Sequence, residues 1–398
     1  MNTVDKQRFF GELQTNLRQN ILPYWIDRMS DPRGGFYGRR DGCDRLDPDA
    51  PKGAILHARI LWTFAAAYRR FGDPAYLAAA KRAARYLIDR FIDREQGGVY
   101  WSLRADGTPL ETKKQFYALG FAIYGLAEYH RATDDEEALR EAIALFRTIE
   151  ARSRDRVRGG YVEALTRDWQ PIPDMRLSEK DRNASKTMNT HLHVIEAYTN
   201  LLRVWPSRDL HAATAELLDL FFDRIEDPAT HHLGLFFDDD WRRVDAGVSY
   251  GHDIEASWLL LETAQLLGDS GRLERAMRHT AQIAEAALRG RQDDGSMVYE
   301  VHDDGRADND RHWWVQAECV VGLLYGHAFH GRTAWLDAAW ETWRYIAAQL
   351  VDAEAGEWYW SRRADGSVNR TDDKAGFWKC PYHNSRMCLE AMQLLERR

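Results

Sequence analysis

A short glycine–aromatic segment recurs six times along this chain of 398 residues, at intervals of about sixty residues. Each copy is followed by an apolar stretch long enough to form a helix. The copies begin at Gly34, Gly97, Gly159, Gly234, Gly295 and Gly356. Four of them continue into a pair that favours a tight hairpin turn, at Asp41-Gly42, Asp106-Gly107, Asp304-Gly305 and Asp365-Gly366. Since each repeat must bury its apolar face against its neighbours, the pattern predicts a single domain over residues 1–398.

Two helical stretches lie between successive hairpin signals, with apolar residues spaced three and four positions apart. Helix stops are visible at Gly72, Gly268 and Pro206. Two helices in each of six units make twelve helices, which can close into an inner and an outer ring. The sequence therefore predicts an all-α fold, an (α/α)6 barrel with short β-hairpins at one mouth.

The helix after each hairpin is apolar almost all round, which is typical of a buried helix and places these six helices in the inner ring. We expect them at residues 54–68, 116–129, 191–204, 254–267, 315–329 and 387–395. Polar side chains mark their N-terminal ends, namely Arg59, Tyr117, His193, His252, His312 and His383. Equivalent positions in six repeats point to one mouth of the barrel, so these side chains should converge there as an active site.

The bulk composition excludes several functions. A net charge of −8 with mixed signs argues against nucleic-acid binding, and no apolar run approaches the length of a membrane span. The first residues carry no signal-peptide pattern, and four cysteines without metal-ligand spacing favour a reducing cytoplasm. We expect a cytoplasmic monomer or weak homo-oligomer that binds a small molecule. The excess of aromatic residues (15 Trp, 17 Tyr, 15 Phe) suits a pocket for sugar rings.

Three segments that contain histidine are the candidates for catalysis: those around His193, His252 and His383. His252 and Glu255 stand three residues apart and share a helix face, where a carboxylate can fix the tautomer of an imidazole and raise its basicity. Asp253 points elsewhere, and we expect it to cap the helix. His191 and His193 are two residues apart, so only one of them can face the pocket. Asn189 or Thr190 is then placed to cap that helix.

Each of these assignments has a structural alternative. A single buried histidine is more often a core or capping residue than a catalyst, and only the repeat-equivalent placement favours catalysis by His252 and His383. Arg59 lies in an apolar stretch and needs either a substrate group or a structural ion pair. Trp314 and Trp378 are interpreted as stacking platforms or as core. No spacing indicates a metal site, and no cofactor is expected.

The whole chain resembles the N-acylglucosamine 2-epimerase superfamily, and within it the cellobiose 2-epimerases. The resemblance rests on three segments, Met188-Asn189-Thr190-His191-Leu192-His193, Gly251-His252-Asp253-Ile254-Glu255-Ala256-Ser257-Trp258 and Arg311-His312-Trp313-Trp314. It extends from Gly53 to Asn384.

The resemblance implies cofactor-independent epimerisation at C2 of the reducing-end glucose in β-1,4-linked disaccharides such as cellobiose and lactose. It implies that His252 and His383 act as acid and base, and that His193 supports them. Residues expected to bind the sugar are Arg59, Tyr117, Asn189, Glu255, His312, Trp314 and Trp378. Two rival functions use related chemistry or the same fold: an aldose–ketose isomerase, and a glycoside hydrolase with paired carboxylates. A third is a non-catalytic sugar-binding protein, since aromatic platforms alone suffice to bind sugars.

Overall fold

A computed structural model describes residues 3–397, and helices dominate this part of the chain. The helices are α1 (Thr3–Asn16), α2 (Leu22–Met29), α3 (Ala54–Phe71), α4 (Pro74–Tyr86), α5 (Phe116–Thr133), α6 (Glu136–Arg152), α7 (Met188–Leu202), α8 (Arg208–Leu220), α9 (Tyr250–Leu267), α10 (Ser270–Ala287), α11 (Trp313–Phe329), α12 (Trp335–Gln349) and α13 (Tyr382–Leu395). A π-helical turn, Leu17–Ile21, joins α1 and α2 into one continuous helix. The described residues therefore form twelve consecutive helices, as the repeat predicts.

Burial separates the helices into two rings. In α3 every residue from Ala54 to Ala67 is buried, whereas α6 buries only a one-sided stripe that includes Ala138, Ala142 and Leu145. The same contrast holds between the other helices that follow a hairpin (α5, α7, α9, α11 and α13) and the helices that alternate with them. A helix without a solvent-facing side belongs inside a barrel. The predicted inner ring is therefore confirmed.

The ring closes on itself because α13 packs against both α11 and α3, while α1 covers α13 from outside. The (α/α)6 barrel predicted from the repeat is confirmed. Within the described residues, no helix combines the length and the apolar character needed to cross a membrane.

Four inner helices begin earlier than the sequence pattern predicts. The starts lie at Met188, Tyr250, Trp313 and Tyr382 instead of 191, 254, 315 and 387. The first turns of α7, α9 and α13 contain polar residues, such as Asn189, His252 and His383, which the apolar pattern did not assign to a helix. These residues therefore lie within the helices, whereas His312 immediately precedes α11.

Short strands surround this mouth. They are β1 (Arg39–Arg40), β2 (Leu46–Asp47), β3 (Lys52–Gly53), β4 (Ser102–Leu103), β5 (Pro109–Glu111), β6 (Lys114–Gln115), β7 (Ala164–Leu165), β8 (Lys186–Thr187), β9 (Phe236–Phe237), β10 (Val248–Ser249), β11 (Glu300–Val301), β12 (Ala307–Asp308), β13 (Arg311–His312) and β14 (Ser361–Arg362). All the strand pairs are antiparallel, and a strand that precedes an inner helix pairs with a strand of the next repeat: β3 with β4, β6 with β7, and β8 with β9. The hairpins thus link neighbouring repeats around one rim.

Three of the four predicted Asp-Gly turns have the expected backbone. Gly107, Gly305 and Gly366 have φ angles of 88°, 79° and 82°, which glycine adopts without steric cost. The exception is Gly42, where the left-handed residue of the turn is Asp44, with φ of 63°.

Buried lysine–aspartate pairs hold the hairpins onto the barrel. The pairs are Lys52–Asp31 (2.7 Å), Lys114–Asp93 (2.8 Å), Lys186–Asp155 (2.9 Å) and Lys374–Asp352. In three of them the lysine lies two residues before an inner helix, and in all four the aspartate lies in the turn that precedes a glycine–aromatic segment. These three pairs therefore fix the position of a helix start relative to its hairpin.

Replacing Lys114 with Met should destabilise the protein, because Asp93 would keep a buried charge that has lost one of its cations. The side chains of Lys114 and Asp93 are both fully buried. We expect the free energy of unfolding to fall by about 3 kcal/mol, measured by chemical denaturation. The control is Arg8→Met, which breaks the exposed pair Arg8–Glu12 and should cost less than about 1 kcal/mol. Equal losses in the two variants would contradict this role.

Candidate active site

The inner helices share a register that directs particular positions at the barrel axis. On each helix the axis-facing residues are the second, the fifth or sixth, and the ninth, a spacing that follows one face of an α-helix. They include Arg59 and Trp62 on α3, Tyr117, Phe121 and Tyr124 on α5, Asn189, His193 and Glu196 on α7, Glu255 and Trp258 on α9, Trp314 and Glu318 on α11, and His383 and Arg386 on α13. Contacts across the axis connect these residues.

Arg386 lies at the centre of this set. Its Nη2 donates to Glu255 Oε1 at 2.6 Å and to Glu318 Oε1 at 2.7 Å, and its Nη1 donates to Glu196 Oε1. All four side chains are buried. Burial by itself would lower the pKa of Arg386, but the surrounding carboxylates outweigh it and raise that pKa well above its usual value. The guanidinium therefore stays charged and binds carboxyl groups from three helices.

His383 is oriented by one of these carboxylates. Its Nδ1–H donates to Glu318 Oε1 at 2.6 Å, and Trp258 Nε1 donates to the other oxygen of Glu318 at 3.0 Å. Burial, followed by the nearby Arg59 and Arg386, lowers the pKa of His383 well below its usual value. The imidazole is therefore neutral near pH 7, and Nε2 is the ring nitrogen that can accept a proton.

His193 has a similar arrangement on α7. Its Nδ1–H donates to Glu196 Oε2 at 2.8 Å, and its ring packs against Phe121 with centroids 4.8 Å apart. Burial lowers the pKa of His193. Burial would raise the pKa of Glu196, but Arg386 and His193 outweigh that effect, so its pKa is lowered and it remains a carboxylate.

His252 differs from the other two because no carboxylate among the described residues is hydrogen-bonded to it. Its Nδ1 is hydrogen-bonded to Ser249 Oγ at 2.7 Å, and its ring packs on Trp314 with centroids 4.8 Å apart. Burial lowers its pKa to about 3. The expectation that Glu255 orients His252 is wrong, because Glu255 is hydrogen-bonded to Arg386 and Ser249 supplies the partner of His252.

Arg59 and Asn189 leave polar atoms without partners. Arg59 Nη2 donates to Tyr117 Oη at 2.8 Å, and the guanidinium stacks over Phe121 at 4.1 Å. Arg59 Nε and Asn189 Oδ1 are buried and have no hydrogen-bond partner among the described residues. Because a buried polar atom without a partner is costly, these atoms indicate a ligand. Among the described residues Arg59 forms no ion pair, so the alternative of a structural salt bridge is not supported.

Aromatic side chains form the rim of this site. Trp378 packs near Tyr117 with centroids 6.2 Å apart and near Trp101 at 6.0 Å. Trp314 contacts both His252 and His383, with ring centroids 4.8 and 5.5 Å apart. Both indoles are half-buried, as a stacking platform requires.

His312 lies further out than the other predicted histidines. It is the residue immediately before α11, and it stacks on Tyr299 with centroids 4.5 Å apart. Tyr299 in turn lies edge-on to Trp314 at 5.8 Å. Its predicted role in binding the sugar is therefore confined to the rim.

The predicted helix caps are wrong. Thr187 caps α7 by accepting a hydrogen bond from Thr190 N, and Ser249 caps α9. Asp253 accepts hydrogen bonds from His232 Nδ1 at 2.6 Å and Leu233 N at 2.9 Å. The reason is the earlier start of both helices, which leaves Asn189, Thr190 and Asp253 inside the first turn.

The fourth residue of several inner helices supports the hairpins instead of the site. His191 Nε2 accepts a hydrogen bond from Tyr161 N at 2.9 Å, and His57 Nε2 accepts one from Phe36 N at 3.1 Å. On α11 the amide oxygen of Gln316 accepts the equivalent bond, from Met297 N at 2.8 Å. His193, and not His191, is therefore the histidine of α7 that faces the axis.

Sequence reasoning missed Glu196, Glu318 and Arg386. They lie in apolar stretches that were interpreted as core. The signal was the helical register itself, because Glu196 lies three residues after His193 and Glu318 lies four after Trp314. Charged residues at these spacings in an apolar helix predict a polar axis.

Three groups of possible metal ligands occur among the described residues. Donor atoms of Glu255, Glu318 and His383 lie within 4.8 Å of one another, but the guanidinium of Arg386 already supplies the positive charge there. The other two groups lie at the rim and share Asp308: one adds Glu300 and His302, and the other adds Asp310 and His312. One Asp310 oxygen there accepts a hydrogen bond from Ala364 N at 3.1 Å.

Comparison with known proteins identifies the family. The model of the N-acylglucosamine 2-epimerase family matches residues 35–386. A cellobiose 2-epimerase of Bacteroides fragilis is 56% identical over 383 residues, which cover 96% of this chain and 98% of that protein. The chain therefore belongs to the N-acylglucosamine 2-epimerase family, and it is an enzyme of the epimerase and isomerase class.

Solved structures agree with this assignment. The structure of a cellobiose 2-epimerase from Bacillus thermoamylovorans superposes with a TM-score of 0.94 at 39% identity, covering 97% of this chain and 99% of that one. A D-mannose isomerase superposes with a TM-score of 0.84 at 19% identity and covers 99% of both chains. At that identity the second likeness shows the fold alone.

Replacing His191 with Gln should make stability less sensitive to acid. Burial lowers the pKa of His191 to about 4, so only the unfolded chain takes up the proton as the pH falls below about 6.5. The wild-type protein should therefore lose about 3 kcal/mol more than the variant between pH 6.5 and pH 4. Gln316 shows that glutamine can accept the same backbone hydrogen bond. Denaturation curves at both pH values test this, and parallel losses would contradict it.

Proposed function

We propose that the protein is a cellobiose 2-epimerase, which inverts C2 of the reducing-end glucose in β-1,4-linked disaccharides. One observation supports this proposal: two neutral imidazoles, His252 and His383, both pack against the indole of Trp314, with ring centroids 4.8 and 5.5 Å from it. Inversion at a carbon next to an aldehyde needs a base on one side of the carbon and an acid on the other. The names of the similar proteins support the choice of cellobiose.

The reaction begins with opening of the sugar ring. His383 Nε2 is suited to move the ring-opening proton, because Glu318 holds the other ring nitrogen as N–H. One histidine then removes the proton at C2, which leaves a planar cis-enediolate. The other histidine takes up a proton from solvent and delivers it to the opposite face of C2. The first histidine releases its proton to solvent, and ring closure gives the mannose epimer. A neutral imidazole can accept a proton and then donate it, so each residue serves both directions of the reaction.

The enediolate oxygen carries negative charge that must be stabilised. Arg59 is a charged donor whose Nε has no partner among the described residues, so it can bind that oxygen. The amide oxygen of Asn189 also lacks a partner there, and as an acceptor it can bind a hydroxyl group of the sugar. His193, held by Glu196, completes the polar lining. Preorganised donors of this kind stabilise developing charge strongly, because they need no reorganisation during the reaction.

In the proposed complex, the aromatic rim binds the non-reacting sugar ring. Trp378 lies beside Tyr117 and Trp101 at the mouth, where a flat apolar surface suits the C–H face of a sugar. We infer that lactose is also a substrate, since it differs from cellobiose only in this outer ring. The proposed chemistry uses no metal and no cofactor.

Nuclear magnetic resonance in D2O tests the proposed reaction directly. Cellobiose incubated with EDTA-treated protein should yield glucosyl-mannose, with deuterium at C2 of the reducing-end sugar. The label appears because the abstracted proton exchanges with solvent at the histidines. A ketose as the main product would instead identify an aldose–ketose isomerase, and free glucose would identify a glycoside hydrolase. Either result would overturn the proposal.

Substitution of the two histidines tests their roles. His252→Asn and His383→Asn should each lower turnover by about 10²- to 10⁴-fold, because general acid–base catalysis contributes that much. His191→Gln is the matched control, since His191 lies in the same region but bonds to a hairpin, and this variant should keep near-native turnover. Near-native rates in both Asn variants would contradict the assignment.

A further inference from the structure

The carboxyl group of Glu255 differs from its neighbours in having few hydrogen-bond donors. Glu318 accepts hydrogen bonds from Arg386, His383 and Trp258. Glu255 Oε1 accepts a bond from Arg386 alone, and Glu255 Oε2 is buried without any partner among the described residues. A buried carboxylate oxygen with no donor is a costly arrangement.

The charge around Arg386 is also unbalanced. Arg386 bonds to three carboxyl groups, Glu196, Glu255 and Glu318, while the adjacent histidines are neutral. Glu255 Oε1 and Glu318 Oε1 both lie within 2.7 Å of the same nitrogen, Nη2. Two carboxylates that share one site rarely ionise together, and the proton goes to the one that is less well solvated by donors. By that criterion the proton belongs to Glu255.

Groups on each of the other inner helices face Glu255. They are Arg59 on α3, Tyr117 on α5, Glu196 on α7, Glu318 on α11, and Tyr382, His383 and Arg386 on α13. Arg386 and Arg59 favour the carboxylate form, and the two other glutamates oppose it. Arg386 is already engaged by Glu196 and Glu318, so the balance favours the acid.

We propose that Glu255 is a carboxylic acid at neutral pH, with its proton on Oε2, and that this O–H donates a hydrogen bond to an oxygen of the bound sugar. Burial, followed by repulsion from Glu318, raises the pKa of Glu255 well above its usual value, in agreement with the geometry. The second half of the proposal rests on the proposed epimerase function. The hydrogen bond would orient the sugar over His383, whose Nδ1 lies 3.8 Å from Glu255 Oε1.

Infrared difference spectroscopy tests the protonation state without any activity. The spectrum of the wild-type protein minus that of Glu255→Gln, recorded at neutral pH, should contain the carbonyl band of a protonated carboxyl group. Addition of cellobiose to the wild-type protein should shift this band, because its O–H gains an acceptor. A carboxylate band in its place would overturn the proposal even if the enzyme epimerises cellobiose. A carboxyl band with no epimerisation would refute the proposed function and leave the protonation state standing.

Turnover of two variants adds a second readout. In Glu255→Gln the amide oxygen can still accept from Arg386 and the NH₂ group can donate in place of the O–H, so turnover should stay within about tenfold of wild type. Glu255→Leu removes the donor and should lose about 10²- to 10³-fold. Thermal denaturation of both variants checks that they are folded. Equal losses in Gln and Leu variants with native stability would show that the charge of Glu255 is required, and this would overturn the proposal.

Discussion

The structure depends on one buried cation. Arg386 binds Glu196, Glu255 and Glu318, so a single guanidinium connects α13 to α7, α9 and α11 across the barrel axis. Removing either side of such a network would leave uncompensated charge in a dry interior, a loss of several kcal/mol. The network also sets the chemistry, because Glu196 and Glu318 each hold a histidine by its Nδ1. The spacing of four inner helices and the orientation of two imidazoles therefore share one cause.

Residues that support the hairpins and residues that face the candidate site lie at neighbouring positions on the same helices. On α7, His191 accepts a backbone hydrogen bond from a hairpin, while His193, two residues later, faces the axis beside Glu196. On α9, Asp253 holds Leu233 and Glu255 faces the axis. A helix turns by about 100° per residue, so a shift of two positions moves a side chain from the hairpin side to the axis. A polar residue in the first turns therefore either supports a hairpin or faces the axis, and its residue type alone does not show which.

Much of the fold was predictable because it depends on local periodicity. The glycine–aromatic repeat and the alternation of apolar helices led to the inner and outer rings, and repeat-equivalent positions placed Arg59, His193 and His383 on the axis. The helix starts were less predictable, since polar first turns look like loops when the mouth of the barrel is not known. The pairing of Glu255 was also mispredicted, because its partner, Arg386, lies 131 residues away in the sequence.

The sequence by itself determined the repeat, the two rings and the kinds of side chain available at the mouth, because hydrophobic spacing and turn residues act over a few positions. Only the tertiary structure decided which polar groups form hydrogen bonds with one another. It brought Glu196, Glu255 and Glu318 to Arg386, and it left Arg59 Nε and Glu255 Oε2 without partners among the described residues. Closing the ring places buried residues from distant repeats within hydrogen-bond distance, and no local pattern encodes those pairings.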